Sequence, residues 1–428
     1  MKILFVNPYF PPWVPGGAEH SLEQMCVQFS RNGWDVQVLA AAFDKRGLDE
    51  ARSGYWIRWI HAPFSMQPGQ DIDAEQYFRT TNFRKAILDR FTGLDRPDVI
   101  IANNAQSYEI VDYLARKNEI PSIGIVRDTQ MLCEFGVCMD NRSATEAAPC
   151  DGHLGALSCS IAFHRKRGAV GWRPLPAWGV YGLQMHRRRL KLRSAIQRFD
   201  HIVTISDSLK ILVIKALPFL KSDCITTIRN FFTQVKPVDS SQVTNFLDHH
   251  GLAPRSFFLF AGRKSYGKGA DLLVSATDIV QKKSSDCRSV LLGRGKLSSA
   301  IGPNCVDAES VSQGLLLGVL EQATALVIPG RWQEGLHRTM IDAIRLGIPI
   351  LCTEAGAPAI DGVVNGKNGL VCCCEDPAAL ATAMIEVINW NEEKRERCRF
   401  ESDKIFQKRF ADNVHMVNWS RVLSKVIT

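Results

Sequence analysis

The residues most clearly suited to binding a ligand lie at one turn between a predicted strand and a predicted helix. Residues 323–328 form a short apolar run, and a Pro-Gly pair at 329–330 ends it, as expected for a buried parallel strand. Apolar residues at helical spacing predict a helix from Gly335, which Gly347 can close before a second strand at residues 348–351. This stretch therefore predicts one βαβ unit.

The start of this helix offers an anion site. The backbone N–H groups of Gly335, Leu336 and His337 would be free to bind a phosphate there. Glu334 stands at the entry, and Asp342 lies eight positions later, roughly 12 Å along a helix axis at ~1.5 Å per residue. Hydroxyl groups suit both acids better than phosphates do, so a nucleotide sugar fits the pattern. Glu334 could equally stabilise the positive end of the helix dipole.

Residues 334–342, E-G-L-H-R-T-M-I-D, with Pro329 before them and A-G-A-P-A-I-D-G after them, resemble the donor site of the GT-B glycosyltransferases of family four. The resemblance extends along nearly the whole chain. It implies an α/β fold of the GT-B type, in which two Rossmann-like domains face each other across a cleft. Asp342 stands where the family usually has Glu, so its expected ribose contact would be looser or mediated by water. Ala359 replaces another usual Glu.

A second motif, F-L-F-A-G-R-K-S-Y-G-K-G at residues 258–269, overlaps a predicted strand at residues 257–261. It is close to a nucleotide-binding P-loop, but Gly269 stands where a Ser or Thr would hold magnesium. The resemblance instead implies that Arg263 and Lys268 grip the donor diphosphate and stabilise the charge that grows on the leaving group. No metal is then required. Solvated surface charge is the alternative interpretation of both residues.

Two further segments supply candidate binding residues in the first half of the chain. Residues 2–7 form a predicted strand, and Gly16 and Gly17 follow it, where they would let the backbone approach a ligand closely. In the resembled family this loop reaches the donor diphosphate. Arg127 and Asp128 end another predicted strand, where related enzymes often have a His-Asp pair. Arg127 cannot act as a base; the two either line the cleft or form an ordinary strand-end pair.

The order of predicted elements divides the chain into two domains. We expect a first domain over residues 1–233, whose last strand lies at 227–233, and a second domain over residues 234–408. The resemblance implies that a terminal helix, residues 409–428, packs back on the first domain. A polar stretch at about residues 140–185 is predicted to be an acceptor-side loop. The predicted apolar stripe of the terminal helix comprises Val414, Val417, Val422 and Val426.

Composition narrows the class of protein. Of the 428 residues, 46% are apolar and 22% are charged, as in a globular protein. No apolar run reaches the ~18 residues of a membrane span, and the N-terminus is predicted to be a strand, so we expect a cytoplasmic protein. The 13 cysteines are scattered, which indicates a reducing compartment. One cluster of them could form a zinc site or could be free thiols: Cys133, Cys138, Cys150 and Cys159.

Positive charge is concentrated in one span of the chain. The formal net charge is +8, and the runs Arg165–Arg167 and Arg187–Arg193 lie near Trp172 and Trp178. A basic surface with aromatic residues suits an anionic membrane or a phosphate-bearing acceptor. A solvated helix face is the alternative. No nucleic-acid recognition motif accompanies the charge, so no nucleic-acid partner is expected.

These patterns and the resemblance predict a metal-independent glycosyltransferase, and the resemblance implies that it retains the anomeric configuration. It would move a sugar from a nucleotide-sugar donor to a glycan or lipid-linked acceptor, with no cofactor besides the donor, in surface polysaccharide synthesis at the inner membrane face. The departures at Asp342, Ala359 and Arg127 leave open a non-catalytic nucleotide-sugar-binding partner. A P-loop NTPase is the third alternative.

Overall fold

The computed structural model describes residues 1–14, 17–66, 78, 80–132, 160–161, 175–230, 238–283, 287–295, 297, 301–331 and 335–428. Several residues singled out from the sequence lie outside these ranges: Gly16, Cys133, Cys138, Cys150, Cys159, Arg165–Arg167, Trp172 and Glu334.

The first domain is built on an eight-stranded sheet with the order β3-β4-β2-β1-β5-β6-β7-β8. All neighbouring strands are parallel except β3 and β4. Val, Ile, Leu and Phe dominate the central strands because helices cover both faces of the sheet. The strands are β1 Lys2–Val6, β2 Asp35–Ala42, β3 Asp49–Arg52, β4 Tyr55–His61, β5 Val99–Ala102, β6 Ser122–Val126, β7 His201–Thr204 and β8 Ile225–Thr227.

The described helices of this domain alternate with its strands, as in a Rossmann-like domain. They are α1 Gly17–Arg31, α2 Thr81–Thr92, α3 Tyr108–Asn118, α4 Leu175–Ile196 and α5 Asp207–Ala216.

The second domain is built on a six-stranded parallel sheet with the order β11-β10-β9-β12-β13-β14. Its strands are β9 Phe257–Ala261, β10 Arg288–Leu292, β11 Cys305–Ala308, β12 Ala325–Ile328, β13 Ile350–Thr353 and β14 Gly369–Cys372. Its described helices are α6 Ser240–His249, α7 Ala270–Lys282, α8 Gln313–Glu321, α9 Arg338–Leu346, α10 Pro377–Ile388 and α11 Glu392–Arg409.

The last helix, α12 (Asp412–Ile427), lies against the first domain. The ring of Trp419 packs on Phe29 of α1 at 5.4 Å between centroids, and Lys425 Nζ donates to the Asp223 carbonyl at 2.7 Å. The predicted apolar stripe is wrong at Val417, which is 56% exposed. The buried side is formed by His415, Trp419, Val422 and Leu423, which share one helix face at a spacing of three to four residues.

Chain order reverses once in each sheet, between β1 and β5 and between β9 and β12. In an open parallel sheet the crevice for ligands lies outside the carboxyl ends of the strands at such a point. Each domain therefore has a crevice at this edge of its sheet. The loops after β1 and β6 surround the crevice of the first domain, and the loops after β9 and β12 surround that of the second.

The predicted fold class is confirmed, with local differences. The predicted strand at 227–233 is wrong: β8 ends at Thr227, residues 228–230 are not in a strand, and 231–237 lie outside the described ranges. Part of the predicted loop at 140–185 is helical, because α4 begins at Leu175. The predicted closure at Gly347 is confirmed: its φ is 68°, and its N–H donates to the carbonyls of Ala343 and Ile344.

Candidate active site

The two sheets direct their carboxyl ends into one cleft between the domains. Of the predicted site residues, Gly17, Arg127, Asp128, Lys268, Gly335, Leu336 and His337 line it together. The other lining residues are Ala18, Thr129, Ile205, Asn230, Ala261, Arg338 and Thr339.

The domains touch at one edge of this cleft through Gly335. A Cβ atom at Gly335 would lie 2.4 Å from the Arg127 carbonyl oxygen and 3.2 Å from Cδ1 of Ile205. Any side chain there would force the two walls apart. Gly335 to His337 are not helical, and α9 begins at Arg338, three residues later than predicted. His337 is the N-cap, with φ −80° and ψ 125°.

A second contact between the domains is made by Asp361, a fully buried residue that the sequence did not single out. Its carboxylate accepts the N–H of Asp207 at 2.8 Å and of Ser208 at 3.2 Å, the first two residues of α5. Arg229 of the first domain donates to it from Nε at 3.1 Å. Burial raises the pKa of the Asp361 carboxyl, and Arg229 opposes that rise. A carboxylate of the second domain thus caps a helix of the first.

Two helix N-termini face each other across the cleft. The first residue of α1, Gly17, lies so close to the first residue of α9, Arg338, that a Cβ atom on Gly17 would be 3.3 Å from Arg338 Cδ. Each start offers free backbone N–H groups and a positive dipole end. The first turn of α9 contains no acid and begins with an arginine. A cation is unfavourable there unless an anion binds, so the arrangement favours an anionic ligand.

Sequence reasoning missed Arg338, although it follows His337 directly. The misplaced helix start drew attention to the backbone of residues 335–337 instead. Burial lowers the pKa of the Arg338 guanidinium, and Asp342 partly offsets that effect. The guanidinium lines the cleft on the same wall as Lys268.

The loop that carries Lys268 is held against the loop that follows β12. Gly269 has φ +68°, and a Cβ atom on it would lie 1.8 Å from the Pro329 carbonyl oxygen. Arg331 donates to both carboxylate oxygens of Asp271 at 2.7 Å and to the Tyr266 carbonyl at 2.6 Å. These contacts fix the position of Lys268 at the edge of the sheet.

Arg263 does not line the cleft, unlike Lys268. Its side chain is exposed, whereas the next residue, Lys264, is buried and forms an ion pair with Asp307. The predicted pairing of Arg263 with Lys268 around a diphosphate therefore stays a prediction. Asp128 lines the cleft beside Arg127 and accepts the N–H of Gln130 at 2.9 Å.

Asp342 lies inside the second domain and does not line the cleft. It is 6% exposed, and Gln313 Nε2 donates to its Oδ2 at 3.1 Å. Burial raises its pKa to about 6, while Arg338 acts in the opposite direction. Its predicted contact with a ribose stays a prediction. Glu334 and Gly16, predicted to act beside it, lie outside the described residues.

Only part of the basic run Arg187–Arg193 is on the surface, which corrects the prediction that the whole run forms one basic surface. Arg189 is buried and donates to His186 Nδ1 at 3.0 Å, and Arg193 Nε donates to the Met131 carbonyl at 3.0 Å. Arg188 donates to Gln130 Oε1 at 3.3 Å. These arginines instead support the loop that carries the cleft residues Arg127–Thr129.

The described ranges of the chain also bear on the predictions about cysteines, metal ions and membrane spans. The nine cysteines within them carry free thiols. Those ranges hold no group of three or more His, Cys, Asp and Glu side chains placed to bind a metal ion. None of the helices seen in this part of the chain combines the length and the apolar character of a membrane span.

Comparison with known proteins finds relatives of this chain, and a family model that matches the second-domain wall of the site. Residues 255–389 match the model of the glycosyl transferases group 1 family. A capsular polysaccharide biosynthesis glycosyltransferase, CapM of Staphylococcus aureus, is 25% identical over 56% of this chain and 68% of its own. Glycogen synthase of Mycobacterium tuberculosis is 23% identical over 91% of this chain and 86% of its own. The crystal structure of Anabaena HepE with UDP and glucose has a TM-score of 0.66 at 14% identity, covering 99% of this chain and 100% of HepE.

The chain is a glycosyltransferase of the GT-B fold. This confirms the resemblance stated from the sequence, and it favours neither a P-loop NTPase nor a non-catalytic binding protein. The family match covers the Lys268 loop and the Gly335–Thr339 segment of this glycosyltransferase, which form one wall of its cleft.

Asp342→Asn is expected to stabilise the enzyme more at pH 7.5 than at pH 4.5. The pKa of Asp342 is about 6 in the folded chain against an ordinary 3.8. The folded state therefore holds the proton more tightly, and stability that is present at low pH is lost as the pH rises through about 6. The side-chain amide of the introduced asparagine cannot ionise, and its oxygen can still accept a hydrogen bond from Gln313. The gain at pH 7.5 should be on the order of 3 kcal/mol in urea unfolding, and about a third of that at pH 4.5.

Exchange of the exposed Asp248 for Asn is the matched control, and its effect should be equally small at both pH values. If Asp342→Asn instead loses stability at pH 7.5, the ionised carboxylate makes favourable contacts that outweigh its burial.

Proposed function

We propose that this glycosyltransferase moves a sugar, with retention of anomeric configuration and without a metal, from a nucleotide-sugar donor to a glycan or lipid-linked acceptor. The convergence of Lys268, Arg338 and the start of α9 on the cleft carries the proposal. Together they form a cationic site for a diphosphate. HepE, which was crystallised with UDP and glucose and shares the fold, supports a nucleotide-sugar donor.

The cationic site lowers the barrier by acting on the leaving group. As the bond between the anomeric carbon and the phosphate oxygen breaks, negative charge grows on the nucleoside diphosphate. Lys268, Arg338 and the α9 amides are fixed before the reaction, so they stabilise that charge without reorganising. Two cations and a helix N-terminus supply the electrostatic role that a divalent metal could otherwise fill.

Retention is proposed to follow from attack on the face that the phosphate leaves. The departing phosphate oxygen takes the proton of the acceptor hydroxyl. At the same time the acceptor oxygen bonds to the anomeric carbon. Burial lowers the pKa of Arg127 to about 10, so it stays protonated at neutral pH and cannot serve as the base. A base supplied by the substrate phosphate removes the need for one from the protein at this position.

Lys268→Ala is expected to lower kcat/KM at least about a hundredfold, because one fixed donor to the leaving group is worth ~3 kcal/mol. Release of nucleoside diphosphate from a panel of nucleotide sugars measures the rate. Lys282→Ala, at the exposed far end of α7, is the matched control and should retain full activity. Full activity of wild-type enzyme in excess EDTA is expected as well. Turnover that survives Lys268→Ala, or that EDTA abolishes, would contradict the proposal.

The acceptor is proposed to lie at an anionic membrane surface, in polysaccharide synthesis. CapM, a capsular polysaccharide biosynthesis enzyme by name, is one of the similar proteins. Helix α4 contains no Asp or Glu among its 22 residues. Its exposed side combines basic and apolar residues, which suits an interface with anionic lipid. They are Val180, Tyr181, Leu183, Arg187, Leu190 and Lys191.

Flotation with phosphatidylglycerol vesicles tests this surface. Reversing two charges, Arg187→Glu with Lys191→Glu, should weaken binding more than about tenfold, because each cation contributes ~1 kcal/mol near such a membrane. Phe400→Glu changes an exposed apolar residue of the second domain (61% exposed) and should bind like wild type. The membrane proposal fails if wild-type enzyme does not float, or if the double reversal floats equally well.

A further inference from the structure

Arg127 is a buried cation whose described partners are all neutral. It follows β6, lines the cleft and is 8% exposed. Its Nε donates to the Asn103 carbonyl at 3.0 Å and to Asn103 Oδ1 at 2.9 Å. Its Nη2 donates to Asn103 Oδ1 at 2.6 Å, and its Nη1 donates to Asn230 Oδ1 at 2.9 Å. Among the residues that the structure describes, no carboxylate forms an ion pair with it.

A buried charge without an opposite charge is costly, and proteins generally pair such groups. Glu19 and Asp128 attract Arg127 electrostatically, without a hydrogen bond to it. The two asparagines orient the guanidinium but do not neutralise it. The first-domain wall of the cleft is therefore electrostatically complete only when an anion binds there.

The guanidinium also has donors left for such an anion. It carries five N–H groups, and the bonds to Asn103 and Asn230 use the one on Nε and one on each terminal nitrogen. One N–H on Nη1 and one on Nη2 remain. Two donors on one planar group suit the paired oxygens of a carboxylate or a phosphate.

Arg127 lies on the opposite wall of the cleft from the proposed diphosphate site. Lys268 and Arg338 belong to the second domain, whereas Arg127 belongs to the first. The Arg127 carbonyl lies against Gly335, where the two walls of the cleft meet. A group bound by Arg127 therefore contacts the first domain, next to the point where donor and acceptor meet in the proposed reaction.

We infer that Arg127 binds a carboxylate or phosphate carried by the donor sugar or by the acceptor, apart from the donor diphosphate. The inference rests on the proposed function and specifies its substrate class: at least one of the two substrates is acidic beyond the nucleotide. The enzyme would then discriminate against the neutral counterpart, because a neutral group leaves the guanidinium without its counter-charge.

The donor arm of the test compares sugars that differ only in charge. A thermal-shift panel of nucleoside diphosphates first selects the base; for uridine, UDP-glucuronic acid is then compared with UDP-glucose by calorimetry. We expect the acidic donor to bind at least about tenfold more tightly, as charge-assisted pairs do. Arg127→Gln should remove the preference, Arg127→Lys should keep part of it, and both should bind UDP itself as wild type does.

The acceptor arm uses simple probes on the enzyme saturated with UDP. Glucose 6-phosphate and glucuronate are titrated against glucose, with the same variants. A preference for the anionic probes that depends on Arg127, without a donor preference, assigns the charge to the acceptor. The reverse pattern assigns it to the donor sugar.

Asn230→Asp provides a variant that keeps Arg127 in place. The new carboxylate would accept from Nη1 at the position where Asn230 Oδ1 now accepts. It should raise the melting temperature of the free enzyme and abolish the preference for acidic substrates. A purely structural role for Arg127 does not predict that loss of preference.

Three results would overturn the inference: no anion preference in either arm, a preference that survives Arg127→Gln, or a loss of UDP affinity in that variant, which would assign Arg127 to the diphosphate. Failure of every nucleoside diphosphate to bind wild-type enzyme is a separate outcome. It would remove the proposed function, and this inference with it.

Discussion

The site depends on one constraint: the two domains must stay in contact, so that the carboxyl ends of their sheets lie close together on either side of the cleft. Gly335 meets this constraint by having no side chain, since a Cβ atom there would overlap the Arg127 carbonyl. Asp361 meets it by electrostatics, because its buried carboxylate satisfies the free N–H groups at the start of α5 in the other domain. Together they set the distance between the two walls of the cleft.

The same constraint concentrates positive charge. With the domains in contact, the starts of α1 and α9 face each other, and Lys268, Arg338 and Arg127 line one cavity. Cations brought this close repel one another and the helix dipoles, so the cleft is strained electrostatically until anions bind. Binding of a diphosphate relieves that repulsion on the second-domain side. Affinity for the donor and closure of the cleft are thereby linked.

Sequence reasoning located the strand ends well, because short apolar runs followed by Gly or Pro identify parallel strands locally. It placed Lys268, Gly17 and Gly335 at those ends, and the structure brings all three to the cleft. Its errors have non-local causes. Helix α9 starts at Arg338 instead of Gly335, and Gly335 contacts Arg127 of the other domain, a contact that no local propensity encodes.

The remaining omissions have the same origin. Asp361 caps a helix about 150 residues earlier in the chain, so its role is invisible without the tertiary fold. Arg189 and Arg193 belong to a basic run that suggested a continuous surface, and only the packing of α4 shows that they bond to the interior. Composition reports how much charge a segment has, but not which way each side chain turns.

Hydrogen exchange with and without a saturating nucleoside diphosphate tests the central claim most directly. If the ligand bridges the two domains, amide exchange should slow together in the first turn of α9, at Arg338–Met340, and in the first turn of α1, at Gly17–Glu19. Protection confined to α9, with α1 unchanged, would contradict the account, because it would place the ligand on one domain alone.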